Sequence, residues 1–366
     1  MILQSLTTDA YRNLASGEQG FHRSVNILVG RNGQGKTNLL EAIYFLATTK
    51  SFRTSKVASL FRFDSPNIYV AGHLQRNGMT RTLSVGLEAG ETRRRVLMIN
   101  GEKVTLPAYL NAMSVFAYSS ARLDILRGAP EEKRRFLDRG IASVNPAYLE
   151  QLTRYARVLK QRNALLQSIA TGDAAASSLE AWNDEFVQAA AVVDRARRAY
   201  AGDISREFAR VVAEHGYHVT NLQVDYRSGG DEEQLRVTLA RLRREEIRAR
   251  MTLTGPQRDT IEFLVDGRPA PEVLSGGEQK MIVLFLKFAK VDLFRRRFDE
   301  PPLFLLDDID AELDLEILQR LLARLPAATQ VFATSAKEVF LKALEAGPHR
   351  RLTFENGRVT AARDFA

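Results

Sequence analysis

The chain has 366 residues, 45% hydrophobic and 26% charged, with a formal net charge of +8 at pH 7; this length allows two sizeable domains or one large α/β domain with an insertion, and the apolar share supports a core. With no cysteine, disulfides and thiolate metal centres are excluded, and the five histidines are scattered without ligand spacing. The N-terminus lacks the regions of a signal peptide and no apolar run approaches a membrane span, so a cytoplasmic protein with no membrane partner is expected.

The positive charge is unevenly placed. Residues 1–121 hold 14 basic and 7 acidic side chains, residues 122–250 hold 22 and 19, and residues 251–366 hold 16 and 18. The excess in the first third includes Arg93, Arg94 and Arg95 in a row. Such a surface attracts phosphate backbones without reading sequence, although a solvated basic face gives the same count.

In chain order, residues 25–30 (VNILVG) read as a short apolar strand entering a glycine-rich loop, and residues 37–47 carry apolar side chains at helical spacing. Asn77-Gly78 and Asn100-Gly101 lie between alternating stretches, which predicts antiparallel hairpins over 68–105. From about Leu123 to Arg250 the pattern changes to Ala- and Arg-rich helical runs, notably 146–168 and 178–214, too short and too poor in heptads for an extended coiled coil. From Met251 the α/β pattern resumes, with IEFLVDGRP as strand and turn, a helix-like run over 278–288, apolar strands at 303–306 and 331–334, and a last hairpin at Asn356-Gly357. The expected fold is an α/β P-loop domain split between 1–122 and 251–366, with an N-terminal antiparallel β subdomain and a helical domain inserted at 123–250.

Three stretches carry chemistry. Gly30-Arg31-Asn32-Gly33-Gln34-Gly35-Lys36-Thr37, followed by Asn38, is a full G-x-x-x-x-G-K-T phosphate loop. Its glycines let backbone N–H groups wrap phosphate oxygens, Lys36 neutralises the terminal phosphates, and the Thr37 hydroxyl holds Mg²⁺. The apolar run 302–306 ends in Asp307-Asp308. The first carboxylate suits a nucleotide-bound Mg²⁺, and the second suits a general base for the attacking water. Leu274-Ser275-Gly276-Gly277-Glu278 opens a helix-like run, and an uncapped helix start is a second anion site.

This order of phosphate loop, LSGGE, Asp-Asp strand and the acidic loop Ala311-Glu312-Leu313-Asp314 resembles that of ABC-type ATPases. The resemblance implies that Ser275, Gly276, Gly277 and Glu278 cap the γ-phosphate held by a second subunit, with Asp314 on the loop between the two sites. A narrower resemblance lies in Tyr11-Arg12-Asn13-Leu14, in Asn38-Leu39-Leu40-Glu41-Ala42-Ile43-Tyr44 and in Ser51-Phe52-Arg53-Thr54. It continues through 128–138 (GAPEEKRRFLD), 160–166 (KQRNALL) and 254–259 (TGPQRD). These runs, in this order over nearly the whole chain, look like the RecF family, bacterial recombination mediators related to SMC heads.

Three departures stand out: Gln257 where the family usually has His, Glu278 within a signature usually of the Ser-x-Gly-Gln form, and Ser120-Ala121-Arg122 in place of Pro-Glu-Asp. The last leaves no magnesium-contacting residue assigned after strand 115–119. Membership implies an ATP-dependent homodimer on double-stranded and gapped DNA, a slow DNA-stimulated ATPase, and RecR, RecO and RecA as pathway partners. Arg53 is a candidate for nucleotide or DNA, and Arg93, Arg94 and Arg95 are candidates for DNA. A transporter ATPase subunit shares the phosphate loop and signature but fits poorly with the long helical stretch between Lys36 and Ser275.

Overall fold

The computed structural model describes residues 1–366 except 55, 64, 90–93, 120–123, 309–314, 324, 326–327, 336–341, 343 and 346. The chain divides into two compact units, one of residues 1–123, 214–216 and 276–366 and the other of residues 124–213 and 217–275.

The first unit opens with β1 (Ile2–Asp9), β2 (Gly17–Gly20) and β3 (Val25–Val29), then α1 (Lys36–Thr48). Next come β4 (Asn67–Arg76), β5 (Met79–Glu88), β6 (Arg94–Ile99), β7 (Glu102–Lys103), α2 (Leu106–Leu110) and β8 (Val115–Ser119). Strands β1, β2 and β4 to β7 form an antiparallel sheet in the order β2-β1-β4-β5-β6-β7. Its hairpins turn at Asn77-Gly78 and Asn100-Gly101, where both residues of each pair have positive φ, the type I′ geometry that matches strand twist.

The second unit contains α3 (Asp124–Arg127), α4 (Pro130–Val144), α5 (Tyr148–Thr171), most of α6 (Leu179–His215), β9 (Leu222–Arg227) and α7 (Glu232–Ala249). It closes with β10 (Thr260–Val265), β11 (Arg268–Pro269) and α8 (Ala270–Val273). Residues 251–275, expected with the α/β portion, thus lie with the helices. The physical reason is a three-stranded sheet, β11-β10-β9, in which β10 pairs antiparallel with β9 from Thr260↔Arg227 to Val265↔Leu222.

The chain then returns to the first unit with α9 (Gly276–Phe298), β12 (Leu303–Asp307), α10 (Leu315–Ala323), β13 (Val331–Thr334), β14 (His349–Glu355) and β15 (Arg358–Phe365). A second sheet forms in the order β15-β14-β3-β13-β12-β8, parallel except for β15. Strands β3, β12 and β13 at its centre are mainly apolar, as strands covered on both faces tend to be, and Ile27, Leu28, Phe304, Leu305, Leu306 and Phe332 have no exposed surface. Helix α1 touches β4 and β5 of the first sheet and β8, β12 and β13 of the second, so the phosphate-loop helix is the filling between two sheets. Buried Gln330 stitches them together, accepting from Leu3 N (2.7 Å) and donating to Leu3 O and His22 O (2.8 Å each). No helix among the described residues is long and apolar enough to cross a membrane.

The runs 128–138, 160–166 and 254–259 make the polar framework of the second unit. Arg162, 1% exposed, donates to Glu246 Oε2 (2.6 Å), Thr252 Oγ1 (2.7 Å) and Asn183 Oδ1 (3.0 Å). Arg197 grips Asp138 with two nitrogens (2.8 and 2.9 Å) and donates to Pro256 O (2.7 Å). Tyr226 donates to Asp259. Gln257 accepts from the Tyr155 hydroxyl and donates to Thr254 O (2.8 Å), so at this position a side-chain amide braces the turn.

Breaking a buried ion pair leaves a charge without compensation. Arg162→Met is therefore expected to lower the unfolding free energy of the second unit by about 3–5 kcal/mol in urea denaturation, and Arg162→Met with Glu246→Leu to recover most of that loss. A single variant as stable as the parent rejects the framework role.

Candidate functional site

Strand β3 delivers the chain to Gly30 and α1 carries it away from Lys36, so residues 30–35 hang between the end of a buried strand and the start of a helix. Gly30 has φ +143°, and a Cβ there would stand 2.5 Å from Phe354 O, so only glycine fits. Arg31, Asn32 and Gly33 face solvent. The residue before α1 is Gly35, with no side-chain cap, and the first turn holds no acidic residue. No hydroxyl or carboxylate of this turn competes with an anion for the N–H groups of the helix start. Lys36 is buried and its Nζ donates to Gly30 O (2.5 Å) and Arg31 O (3.0 Å), which brings the ammonium back over the loop.

The Asp-Asp pair comes to the same place. Thr37 Oγ1 donates to Asp307 Oδ1 (2.8 Å), and Thr334 Oγ1 donates to the same oxygen (2.9 Å) while accepting from Asp308 N (2.9 Å). Asp307 is 4% exposed, whereas Asp308 lies at the surface. Burial raises the Asp307 pKa above the ordinary carboxylate value, and the two threonine hydroxyls hold it down in part. Next to this pair, the buried Tyr118 hydroxyl on β8 has no hydrogen-bond partner among the described residues. Burial first, and then the Asp308 charge, raise its pKa.

Of the groups that hold this arrangement, sequence reading singled out Arg53 and Asn38 but not Asn13, Glu41 or Thr334. Asn13 donates through Nδ2 to Gly33 O (3.3 Å), and its Oδ1 accepts from Asn38 Nδ2 (2.6 Å). Arg53 NH1 donates to Asn38 Oδ1 (2.7 Å), so Arg53 stands on the phosphate-loop side of the unit. Fully buried Glu41 on α1 takes a two-pronged ion pair from Arg12 and a hydrogen bond from Ser51 Oγ. Ser51 Oγ in turn accepts from the Arg53 (2.9 Å) and Thr54 (3.0 Å) amides. Asn13 and Glu41 lie inside runs that sequence marked only by resemblance, and Thr334 ends an apolar strand; no local pattern flags any of them.

The remaining candidates fall elsewhere. Ser275 and Gly276 are exposed where the chain passes from the second unit into α9, and Gly277 and Glu278 continue the first turn of that helix. Arg94 and Arg95 are consecutive on β6, so their side chains leave opposite faces of the sheet, and Arg95 NH1 donates to Thr49 Oγ1 (2.8 Å). Arg93, Ser120-Ala121-Arg122 and Asp314 lie outside the described residues.

The donor set fits a nucleotide with magnesium. A loop whose first glycine admits no Cβ, an uncapped helix start and a buried lysine suit phosphate, while Thr37 and Asp307 are the hard oxygen donors that Mg²⁺ takes, one carboxylate being typical where phosphates supply further ligands.

Comparison with known proteins gives the family and the fold. Residues 2–358 match the family model described as RecF/RecN/SMC N terminal domain. A DNA replication and repair protein RecF from Geobacter sp. (strain M21) is 33% identical, over 98% of this chain and 100% of the relative. Its counterpart from Bacillus subtilis (strain 168) is 31% identical, over 92% of this chain and 93% of that protein. Among solved structures, the recombination mediator protein RecF with ATP, of the RecFOR pathway, superposes with TM-score 0.87 at 24% identity, covering 100% of this chain and 98% of the other. An SMC head bound to a winged-helix domain of ScpA superposes with TM-score 0.56 at 15% identity, covering 100% of this chain and 98% of the other. These two likenesses carry the fold.

Thr334→Val removes one partner of Asp307 and the hydroxyl that accepts from the Asp308 amide, which is expected to lower stability by about 1–3 kcal/mol. It also removes a group that favours ionised Asp307. For a carboxyl whose folded pKa is raised, the favourable contribution is complete below the unfolded value of about 3.9 and is lost as pH rises through the folded pKa. In the variant that loss should extend to higher pH, measured as denaturation midpoint against pH from acid to neutral. Parallel parent and variant profiles would reject the link.

Proposed function

Since the chain belongs to the RecF family, we propose that it is a DNA repair ATPase whose ATP-bound form is a homodimer that holds double-stranded DNA beside single-strand gaps. The observation that carries this is the meeting of Thr37, Asp307 and Thr334 at the foot of the phosphate loop, which joins the two halves of an ATP·Mg²⁺ site. RecF relatives at 31–35% identity support the assignment to DNA repair.

Each residue then has a role. The amides of Gly30 to Thr37 cradle phosphate, Asn38 supports the cradle through Asn13 and Arg53, and Lys36 offsets phosphate charge. Thr37 and Asp307 would hold Mg²⁺, which when bound would offset phosphate charge. Asp308, exposed beside that pair, is placed to accept a proton from the attacking water, and a carboxylate one methylene shorter than Glu is consistent with slow turnover. Ser275, Gly276, Gly277 and Glu278, at an exposed helix start, cap the γ-phosphate of a second copy, and the family resemblance assigns Asp314, outside the described residues, to the loop between the two sites.

A ligand that binds only the dimer drives dimerisation by mass action, and two copies double the basic surface that meets the duplex, so DNA binding becomes ATP-dependent and salt-sensitive. Arg53 belongs with the nucleotide, given its bond to Asn38. Arg94 and Arg95, on opposite faces of β6, and Arg93, outside the described residues, stay as candidates for DNA contact. DNA stimulation of hydrolysis, a cytoplasmic location, and cooperation with RecO and RecR in loading RecA follow from the family's role.

Light scattering with ATP·Mg²⁺ tests the shared site. The parent should shift from monomer to dimer and bind a gapped duplex more tightly. Lys36→Met should lose ATP binding, whereas Ser275→Arg should keep it within about twofold and lose the dimer, as expected when binding and association use different surfaces. Equal loss of ATP binding in both variants would place the signature in its own chain's site.

A further inference from the structure

The phosphate loop leans on the far end of the chain. Strands β3 and β14 run parallel as far as Val29↔Thr353. From there one continues into the phosphate loop and the other into the Asn356-Gly357 turn. The two meet again at Gln34. Asn356 N donates to Gln34 Oε1 (2.6 Å), and Gly357 N donates to Gln34 O (2.9 Å). One turn thus holds both the side chain and the backbone of a residue in the middle of the loop, while Gly30, at the loop's start, rests against Phe354.

The same turn holds the other side of the cradle. Gly357 O accepts from Ala15 N (2.9 Å), and Gly357 sits against Asn13, which reaches Gly33 O and Asn38. With φ +76° at Gly357, a Cβ would stand 1.8 Å from Asn13 O. A turn that only reverses the chain needs none of this. The Asn77-Gly78 turn has the same two residues at φ +52° and +77°, and a Cβ on Gly78 would meet nothing within 4 Å.

We propose that the Asn356-Gly357 turn is a positioning element for the phosphate cradle. It fixes Gln34 directly and Gly33 through Asn13, so the amides that receive phosphate are already set in place before nucleotide arrives. Pre-organised groups bind without a further ordering cost, and small displacements of such groups weaken binding steeply. This inference rests on the phosphate-binding role of residues 30–37.

The glycine pair supplies a matched experiment on the full chain. Gly357→Ala and Gly78→Ala impose the same strain of positive φ, but only the first meets a neighbour. Hydrogen exchange of peptides covering 30–38 is measured without nucleotide, together with thermal midpoint and ATP dissociation constant. Gly357→Ala should speed exchange across 30–38 and weaken ATP by at least about tenfold, while Gly78→Ala leaves both as in the parent. Asn13→Ala, which removes the ties to Gly33 and Asn38 without a clash, should move both readouts the same way and decides the matter if Gly357→Ala fails to fold. A folded Gly357→Ala with parental exchange and affinity overturns the proposal, and so do equal losses in Gly78→Ala. A parent chain that binds no ATP would instead overturn the phosphate-binding reading, while the exchange comparison still judges the clamp.

Discussion

The hydrogen bond from Thr37 to Asp307 spans 270 positions of sequence, and the architecture of the first unit follows from the need to make it. Thr37 is fixed to the start of α1 and Asp307 to the end of β12. The sheet order places β13 between β3 and β12, so the strand beneath the phosphate loop is not a neighbour of the strand bearing the carboxylate. Thr334, at the end of that intervening strand, fills the gap by donating to Asp307 and receiving the Asp308 amide. Helix α1, held between two sheets, then has little freedom to carry Thr37 away. The α/β unit can therefore be interrupted by a whole second unit, because neither body needs the other's strands to complete its sheets.

The parts of this fold written in local rules were legible. Asn-Gly pairs announced three hairpins because few other residues enter positive φ twice in succession, and the structure has type I′ turns at each. The phosphate loop, the strands at 25–30, 303–306 and 331–334, and the helix after LSGGE were readable from composition and period, although α9 runs on to Phe298. Residues 251–275 were misplaced because an alternating strand shows which face is buried but not which sheet it joins, and its partner β9 is a six-residue strand set among helices. Asn13, Glu41 and Thr334 were invisible as site residues because their partners lie on other elements. Arg94 and Arg95 are neighbours in sequence, whereas a strand sends them to opposite faces.

The family-specific runs of the second unit carry a different lesson. Arg162, Asn163, Asp138, Gln257 and Asp259 are spoken for by Glu246, Thr252, Arg197, Tyr155 and Tyr226, mostly in buried positions. Buried charges cost desolvation energy that their attraction only roughly offsets, so this network is poor evidence of high stability. It is better evidence of a constraint on geometry, since an arginine that must satisfy a carboxylate, a hydroxyl and an amide at once tolerates few arrangements of the elements bearing them. In the first unit three carboxylates are treated differently: Glu41 is paired with Arg12, Asp307 receives the hydroxyls of Thr37 and Thr334, and Asp308 is exposed.

That contrast separates scaffold from chemistry. A carboxylate saturated by guanidinium, as Glu41 is, has no charge left to offer a metal, and it serves by fixing Ser51 and, through it, the amide of Arg53. One held by neutral hydroxyls keeps its charge and its lone pairs but is costly to bury, which is why its pKa rises. A cation arriving beside Asp307 would relieve that cost, so part of the binding energy is stored in the protein before any ligand arrives. Under the proposed function, a cradle already formed on the Asn356-Gly357 turn and a carboxylate already desolvated leave little of that energy to be used on ordering the subunit. More of it remains to join one copy to the next, which is the step on which DNA binding would depend.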